Sequence, residues 1–148
     1  MSFLISVENT VVRLLPESLA SLALRFGLAV PFWYSGLTKW DGVGTLSDSA
    51  VLLFTEEFKF HVLGRTSDYP YPKLMAYGAG TAEILLPILL ALGLFGRFAA
   101  LGLLIMTGII QLTIPTGWPL HLTWAAMALG IIVLGSGKLS LDHFLRRN

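Results

Sequence analysis

The sequence predicts an all-α integral membrane protein, a four-helix bundle with an amphipathic helix in the long loop between spans 1 and 2. Three observations lead there. Hydrophobic residues make up 55% of the 148 and charged residues only 13%, where soluble domains carry about 25% charged residues. Mean hydropathy is +0.74. From Leu74 to Ser136, the ionisable side chains other than tyrosine are Glu83, Arg97 and His121. A soluble fold of that extent would need charged faces between its helices, and none are written there.

The spans follow from apolar length, because a crossing takes about 20 mostly apolar residues. The first runs over about residues 18–40, is entered through Pro16 and Glu17, and carries Pro31 as an expected kink. It is too long for a signal h-region of about 7–15 residues, and no basic segment leads into it. The others are expected over residues 73–93, 98–114 and 120–135, so that residues 1–148 form one membrane domain. Gly93-Leu94-Phe95-Gly96-Arg97 and Pro115-Thr116-Gly117-Trp118-Pro119 read as the tight turns between the last three. Trp40, Tyr71 and Trp118 fall where interfacial aromatics are expected.

The loop 41–72 places Val51, Phe54, Phe58 and Val62 at helical spacing, which predicts the amphipathic helix, lying on the membrane surface or capping the bundle. Tyr69-Pro70-Tyr71-Pro72 then makes a stiff re-entry. Arg13, Arg97, Lys138, Arg146 and Arg147 share the side of the termini. Lys59, Arg65 and Lys73 sit opposite, with Lys39 at that boundary. The asymmetry places both termini in the cytoplasm of a bacterial-type inner membrane.

Ionisable groups inside a bilayer cost about 2.5–3.5 kcal/mol each on insertion scales, so each needs a partner or a purpose. Counting rise per residue from the span ends puts Arg25 and Glu83 within about 5 Å of one another in depth, and they are expected to pair. Arg25, Phe32 and Lys39 recur at sevens on one face of span one, and Gly80, Glu83 and Pro87 share a face of span two. His121 opens span four at about the depth of Gln111. With Lys39, Trp118 and Trp124 these residues are expected to line a polar pocket under the outer surface. A metal site is not expected, since His61 and His143 fall on opposite sides and the methionines are scattered. A net charge of +1 gives no field for nucleic acid. The absence of cysteine excludes dithiol relays and iron–sulfur ligation by this chain. No GxSxG, HExxH, GxGxxG or P-loop occurs.

Leu24-Arg25-Phe26-Gly27, then Tyr34-Ser35-Gly36-Leu37-Thr38-Lys39, then Gly80-Thr81-Ala82-Glu83 and Gly93-Leu94-Phe95-Gly96-Arg97 appear in this order along the chain. In these motifs the sequence resembles the DoxX family of small four-span membrane proteins. The resemblance implies a link to oxidoreductase systems, since the relative DoxD is a subunit of a thiosulfate:quinone oxidoreductase. The expectation is therefore a redox-associated subunit rather than a self-sufficient enzyme. Arg25, Glu83 and His121 would handle protons or contact substrate, and Lys39, Gln111, Trp118 and Trp124 would line a quinone pocket. Its partners would be the lipid bilayer and an oxidoreductase, with homo-oligomers left open. Two further readings stay open, a non-catalytic anchor or assembly subunit and a small-solute or proton-coupled transporter using Glu83 as relay.

Overall fold

The computed structural model describes residues 16–146, so Arg13 and Arg147 lie outside the described residues. It is mostly helical. Helix α1 is Glu17–Leu37, and after it come a short hairpin of β1 (Trp40–Gly42) and β2 (Thr45–Leu46) and the one-turn-plus helix α2 (Asp48–Leu52). A wide π turn, Leu53–Glu57, leads into a second antiparallel hairpin, β3 (Lys59–Val62) and β4 (Arg65–Asp68). Then follow α3 (Pro72–Leu92), α4 (Gly96–Thr113), the 3-10 turn Pro115–Gly117, α5 (Trp118–Leu134) and the short α6 (Leu141–Arg146). Helix α1 packs on α3 and α5, and α4 packs on the same two, so the four long helices close a ring.

Among the described residues, three stretches are long and apolar enough to cross a membrane, Pro72–Leu92, Gly96–Thr113 and Pro115–Leu134. Their outward faces are predominantly hydrocarbon, with Leu85, Ile105, Leu122 and Val133 all more than half exposed. Such a surface is stable only against lipid, and the chain is a multi-pass membrane protein. Helix α1 is as long, but Glu17, Ser18, Ser21, Arg25 and Ser35 dilute its hydropathy. Those groups are largely turned inward, Ser21 and Arg25 being buried.

The helix bounds agree with the expected spans to within a few residues. Glycine and proline chemistry explains the ends. Gly93 closes α3 in the left-handed region, at φ 67°, and Pro72 opens it at its first turn. The core at the level of α4 is Leu28, Phe32, Leu90, Leu103, Ala128 and Ile131. The buried faces expected on α1 (Arg25, Phe32) and α3 (Gly80, Glu83, Pro87) are buried.

The loop corrects the sequence expectation. There is no amphipathic helix over Val51–Val62. The helix lasts from Asp48 to Leu52, and the Phe58 N–H bonds the Leu53 carbonyl at 2.7 Å, widening the last turn. Beyond it, Phe58-Lys59-Phe60-His61-Val62 alternates aromatic or β-branched residues with polar ones, and that period of two wins. Leu63 and Gly64, both at positive φ, form the tight two-residue turn that folds β3 onto β4. Phe54 (6% exposed) is the anchor, packing edge-on to Phe58 and Tyr69 over Ala76 of α3.

Candidate functional site

Helical side chains lean towards the N-terminus of their helix. In α1 the two basic groups also stand fourteen residues apart. Lys39, just past the helix end, folds back to the Ser35 carbonyl (3.4 Å) and hydroxyl (3.0 Å). Its Nζ donates to Glu83 Oε2 at 2.5 Å. Arg25, fourteen residues earlier, lies towards the other end of the helix, and its Nη2 donates to the Leu139 carbonyl at 2.6 Å.

The expected Arg25–Glu83 pair is therefore replaced by Lys39–Glu83. The register of α1 on α3 is the reason: Gly36 lies against Glu83, so Arg25, eleven residues earlier, stands about 16 Å along the helix from that level, where the depth count places it within about 5 Å. A Cβ at Gly93 would overlap Arg25 Nη1, so the guanidinium sits at the Gly93 end of α3. That is about 15 Å along the helix from Glu83.

The pair is built by local sequence. Gly36 brings α1 against the α3 backbone at Glu83, a closeness no side chain would permit. The Lys39 carbonyl accepts from the Ser47 N–H (2.9 Å), and the Ser47 hydroxyl donates to the Thr38 carbonyl (2.9 Å). The first hairpin thus clamps the lysine backbone. Trp40 covers Gly80 and meets Tyr77 edge-on at 4.9 Å. Glu83 is 3% exposed and so removed from water and from lipid, while Lys39 is part-buried beside it.

Both partners face a cavity of about 370 Å³. Its walls are the small and apolar faces of α3 and α4, including Gly78, Ala79, Ala82, Met106 and Ile110, and Trp124 reaches it from α5. Phe54, Phe58 and Tyr69 cover it from the loop. The lid is fastened by a hydrogen bond between the Tyr69 and Thr113 hydroxyls. Burial raises the Tyr69 phenol above its ordinary range, an effect only partly offset by that bond, which keeps it a neutral hydroxyl.

The expected five-residue pocket is divided. Lys39 and Trp124 line the cavity beside Glu83. His121, Gln111 and Trp118 line a separate depression of about 340 Å³ on the α4–α5 face. There the His121 Nδ1–H donates to Gln111 Oε1 at 2.7 Å, and Gln111 Nε2 donates to the Pro115 carbonyl at 3.1 Å. This chain of bonds joins α4 to α5 across their turn. Trp124 stands between the two sites, its ring 5.3 Å from His121 and 5.0 Å from Phe32.

The opposite end of the bundle holds a second buried polar knot. Arg25 is 0% exposed, and its Nε and Nη1 have no hydrogen-bond partner among the described residues. The Ser21 hydroxyl donates to the Gly135 carbonyl at 2.7 Å. Asp142 accepts from the Phe95 N–H (2.9 Å), the Gly96 N–H (3.0 Å) and the Ser136 hydroxyl (2.9 Å), capping α4 from the far end of the sequence. Burial pushes this carboxyl up, but the two backbone donors, Ser136 and the charge of Arg146 outweigh it and hold it below its ordinary range. No group of three or more metal-ligating side chains occurs among the described residues.

The sequence did not reveal the Asp142 cap or the Tyr69 fastening, which join residues far apart in the chain without local pattern. The Lys39–Glu83 pair did leave a signal in Ser35, four residues before Lys39 and placed to receive its ammonium.

The DoxX family profile matches residues 20–116, a stretch that holds Arg25, Lys39, Glu83 and Gln111 but not His121 or Asp142. An uncharacterized protein of Haemophilus influenzae is 30% identical over 135 residues, covering 85% of this chain and 83% of the relative. No solved structure matches the chain.

Proposed function

The chain belongs to the DoxX family, and we propose that it is a redox-associated membrane subunit that binds a quinone in the cavity beside Lys39 and Glu83. One observation carries this reading: a buried, hydrogen-bonded ion pair forms the single charged patch of an otherwise apolar, aromatic-covered cavity. Its volume lies within the usual range for small-molecule pockets, about 300–1,000 Å³. A bound quinone would supply two-electron, two-proton chemistry. The Lys39 ammonium is placed to donate a hydrogen bond to a ring carbonyl, and the Glu83 carboxylate holds that ammonium in position and in its charged form. Phe54, Phe58 and Tyr69 exclude water from above, and Trp124 offers a ring face for stacking. The chain has no cysteine, so thiol and iron–sulfur electron carriers would belong to a partner protein. Arg25 and His121 lie outside this cavity and serve the packing of the bundle.

In the same reading α1 is a fourth span. Its 21 residues reach about 32 Å, enough for the hydrocarbon core, and its arginine is masked by the bundle. The termini face the cytoplasm and both hairpins the opposite side. Cysteine at fully exposed Val43 should react with an impermeant thiol reagent on intact cells, and cysteine at exposed Phe144 should not. The reverse pattern would invert the orientation.

Purification in mild detergent with mass spectrometry of extracted quinones tests the ligand. A retained quinone, lost in Glu83→Gln, and quenching of Trp124 fluorescence by a short-chain quinone are expected. The absence of both retention and quenching would sink the quinone assignment. A second reading, an anchor for a soluble oxidoreductase, is favoured by the exposed hairpin tips Val43 and Leu63. It predicts co-purifying protein that is lost on substituting Leu63 while the cavity variants keep it.

A further inference from the structure

At the end of the bundle opposite the cavity, the α3–α4 turn, the end of α5 and the segment through α6 enclose a cleft of about 630 Å³. Arg97, Lys138 and Arg146 line it, together with His143. None of the three cations makes an ion pair among the described residues. The one carboxylate in the cleft, Asp142, is spent on the Phe95 and Gly96 N–H groups and Ser136. The start of α4 is thereby already capped, and what the cleft offers an anion is its side-chain cations. Around the same cleft Phe95, Phe98 and Leu145 are each at least 60% exposed. These large apolar side chains stand where the spans leave the hydrocarbon.

Convergent cations beside an exposed apolar rim match a molecule that is anionic at one end and hydrocarbon at the other. We propose that this cleft binds the headgroup phosphate of an anionic phospholipid, with the acyl chains lying along Phe98 and Leu145. Arg97 gives planar, two-pronged recognition of phosphate oxygens, and Lys138 and Arg146 supply further charge. A free phosphate shares the headgroup chemistry but makes no use of the rim.

The test uses the full chain reconstituted in phosphatidylcholine nanodiscs, with phosphatidylglycerol added and bound lipid counted by native mass spectrometry. Phosphatidylglycerol should be retained over phosphatidylcholine, and 0.5 M salt should weaken it, as expected on the order of a 4 Å screening length. The double variant Lys138→Gln/Arg146→Gln should lower occupancy by on the order of tenfold or more. Lys59→Gln, which removes a charge at the other end, should leave it unchanged. Adding Arg97→Gln should abolish the preference, and the double variant keeps the test valid if Arg97 also supports the fold through its bond to Val133 (3.3 Å). Equal retention of the two lipids, or unchanged occupancy in the double variant, would overturn the proposal. Full displacement by millimolar inorganic phosphate would also overturn it, by assigning the cleft to a free anion.

Discussion

Gly36 of α1 lies so close to α3 that a Cβ there would stand 2.8 Å from the Glu83 carbonyl oxygen. The contact is backbone on both sides and cannot be relieved by a rotamer change. It sets the distance that lets Lys39, three residues on, reach the Glu83 carboxylate. The two short motifs Gly36-Leu37-Thr38-Lys39 and Gly80-Thr81-Ala82-Glu83 are thus two halves of one joint.

Enlarging that glycine should open the joint. Gly36→Leu is expected to destabilise the detergent-solubilised bundle by about 1–3 kcal/mol, the usual cost of overpacking. It should also release the lysine, so that an amine-directed reagent modifies Lys39 faster than in the parent. A variant with unaltered melting temperature and labelling would show that α1 tolerates the shift.

The ion pair itself should behave asymmetrically. Lys39→Met or Glu83→Gln alone is expected to cost about 3–5 kcal/mol, because one buried charge or its polar remnant loses its partner. The double substitution should recover most of that loss. Thermal melts of the four proteins close the cycle, and a double variant no better than the worse single one would refute the coupling. The recovered double variant should still fail to hold quinone, since methionine and glutamine cannot exchange a proton with it.

Phe54→Asp tests the cover. Phe54 is 6% exposed among Phe58, Tyr69 and Ala76, and a carboxylate there should lift the loop. Limited proteolysis should then cut within residues 53–68 much faster than in the parent, while the long helices stay intact. Equal cutting rates would mean that the loop is held by its hairpins rather than by this ring.

Acidification should loosen the opposite end. The Asp142 carboxyl is held below its ordinary range in the folded protein, so it stabilises fully above the ordinary carboxylate value of about 4 and loses that contribution as pH falls through the lower folded value. Asp142→Asn is expected to cost about 1–2 kcal/mol at neutral pH. Its melting curve should converge with the parent's as pH falls through that lower folded value. A constant gap across pH would assign the loss to shape rather than charge.

The long helices were legible because hydrocarbon length and glycine–proline punctuation act locally. Ser18–Trp40 and Lys73–Gly93 were displaced from α1 and α3 by three residues at most. The buried faces were also legible, since Arg25, Phe32, Gly80, Glu83 and Pro87 follow helical periodicity. What failed was partner choice. Whether Glu83 meets Arg25 or Lys39 depends on the register at which α1 packs on α3, set by the close approach of Gly36 to Glu83, which counting from span ends does not carry. The loop misled because Val51, Phe54, Phe58 and Val62 satisfy a helical period while Phe58, Phe60 and Val62 satisfy a strand period. Only the turn at Leu63-Gly64 decides between them.

The bonds that close the terminal end of the bundle have a consequence for biogenesis. Ser21 to Gly135 and Arg25 to Leu139 each join residues 114 positions apart. In the proposed four-span arrangement, α1 therefore enters the membrane during synthesis long before the carbonyls that satisfy it exist. Until the segment after α5 emerges, the nascent protein carries an unmatched guanidinium, and it must be sheltered by water, lipid phosphate or the insertion machinery. The final stretch of translation is thus the step that converts an insertion intermediate into a finished bundle. A chain stalled or clipped before Leu139 would present its own defect, a polar flaw in the first helix, to membrane proteases.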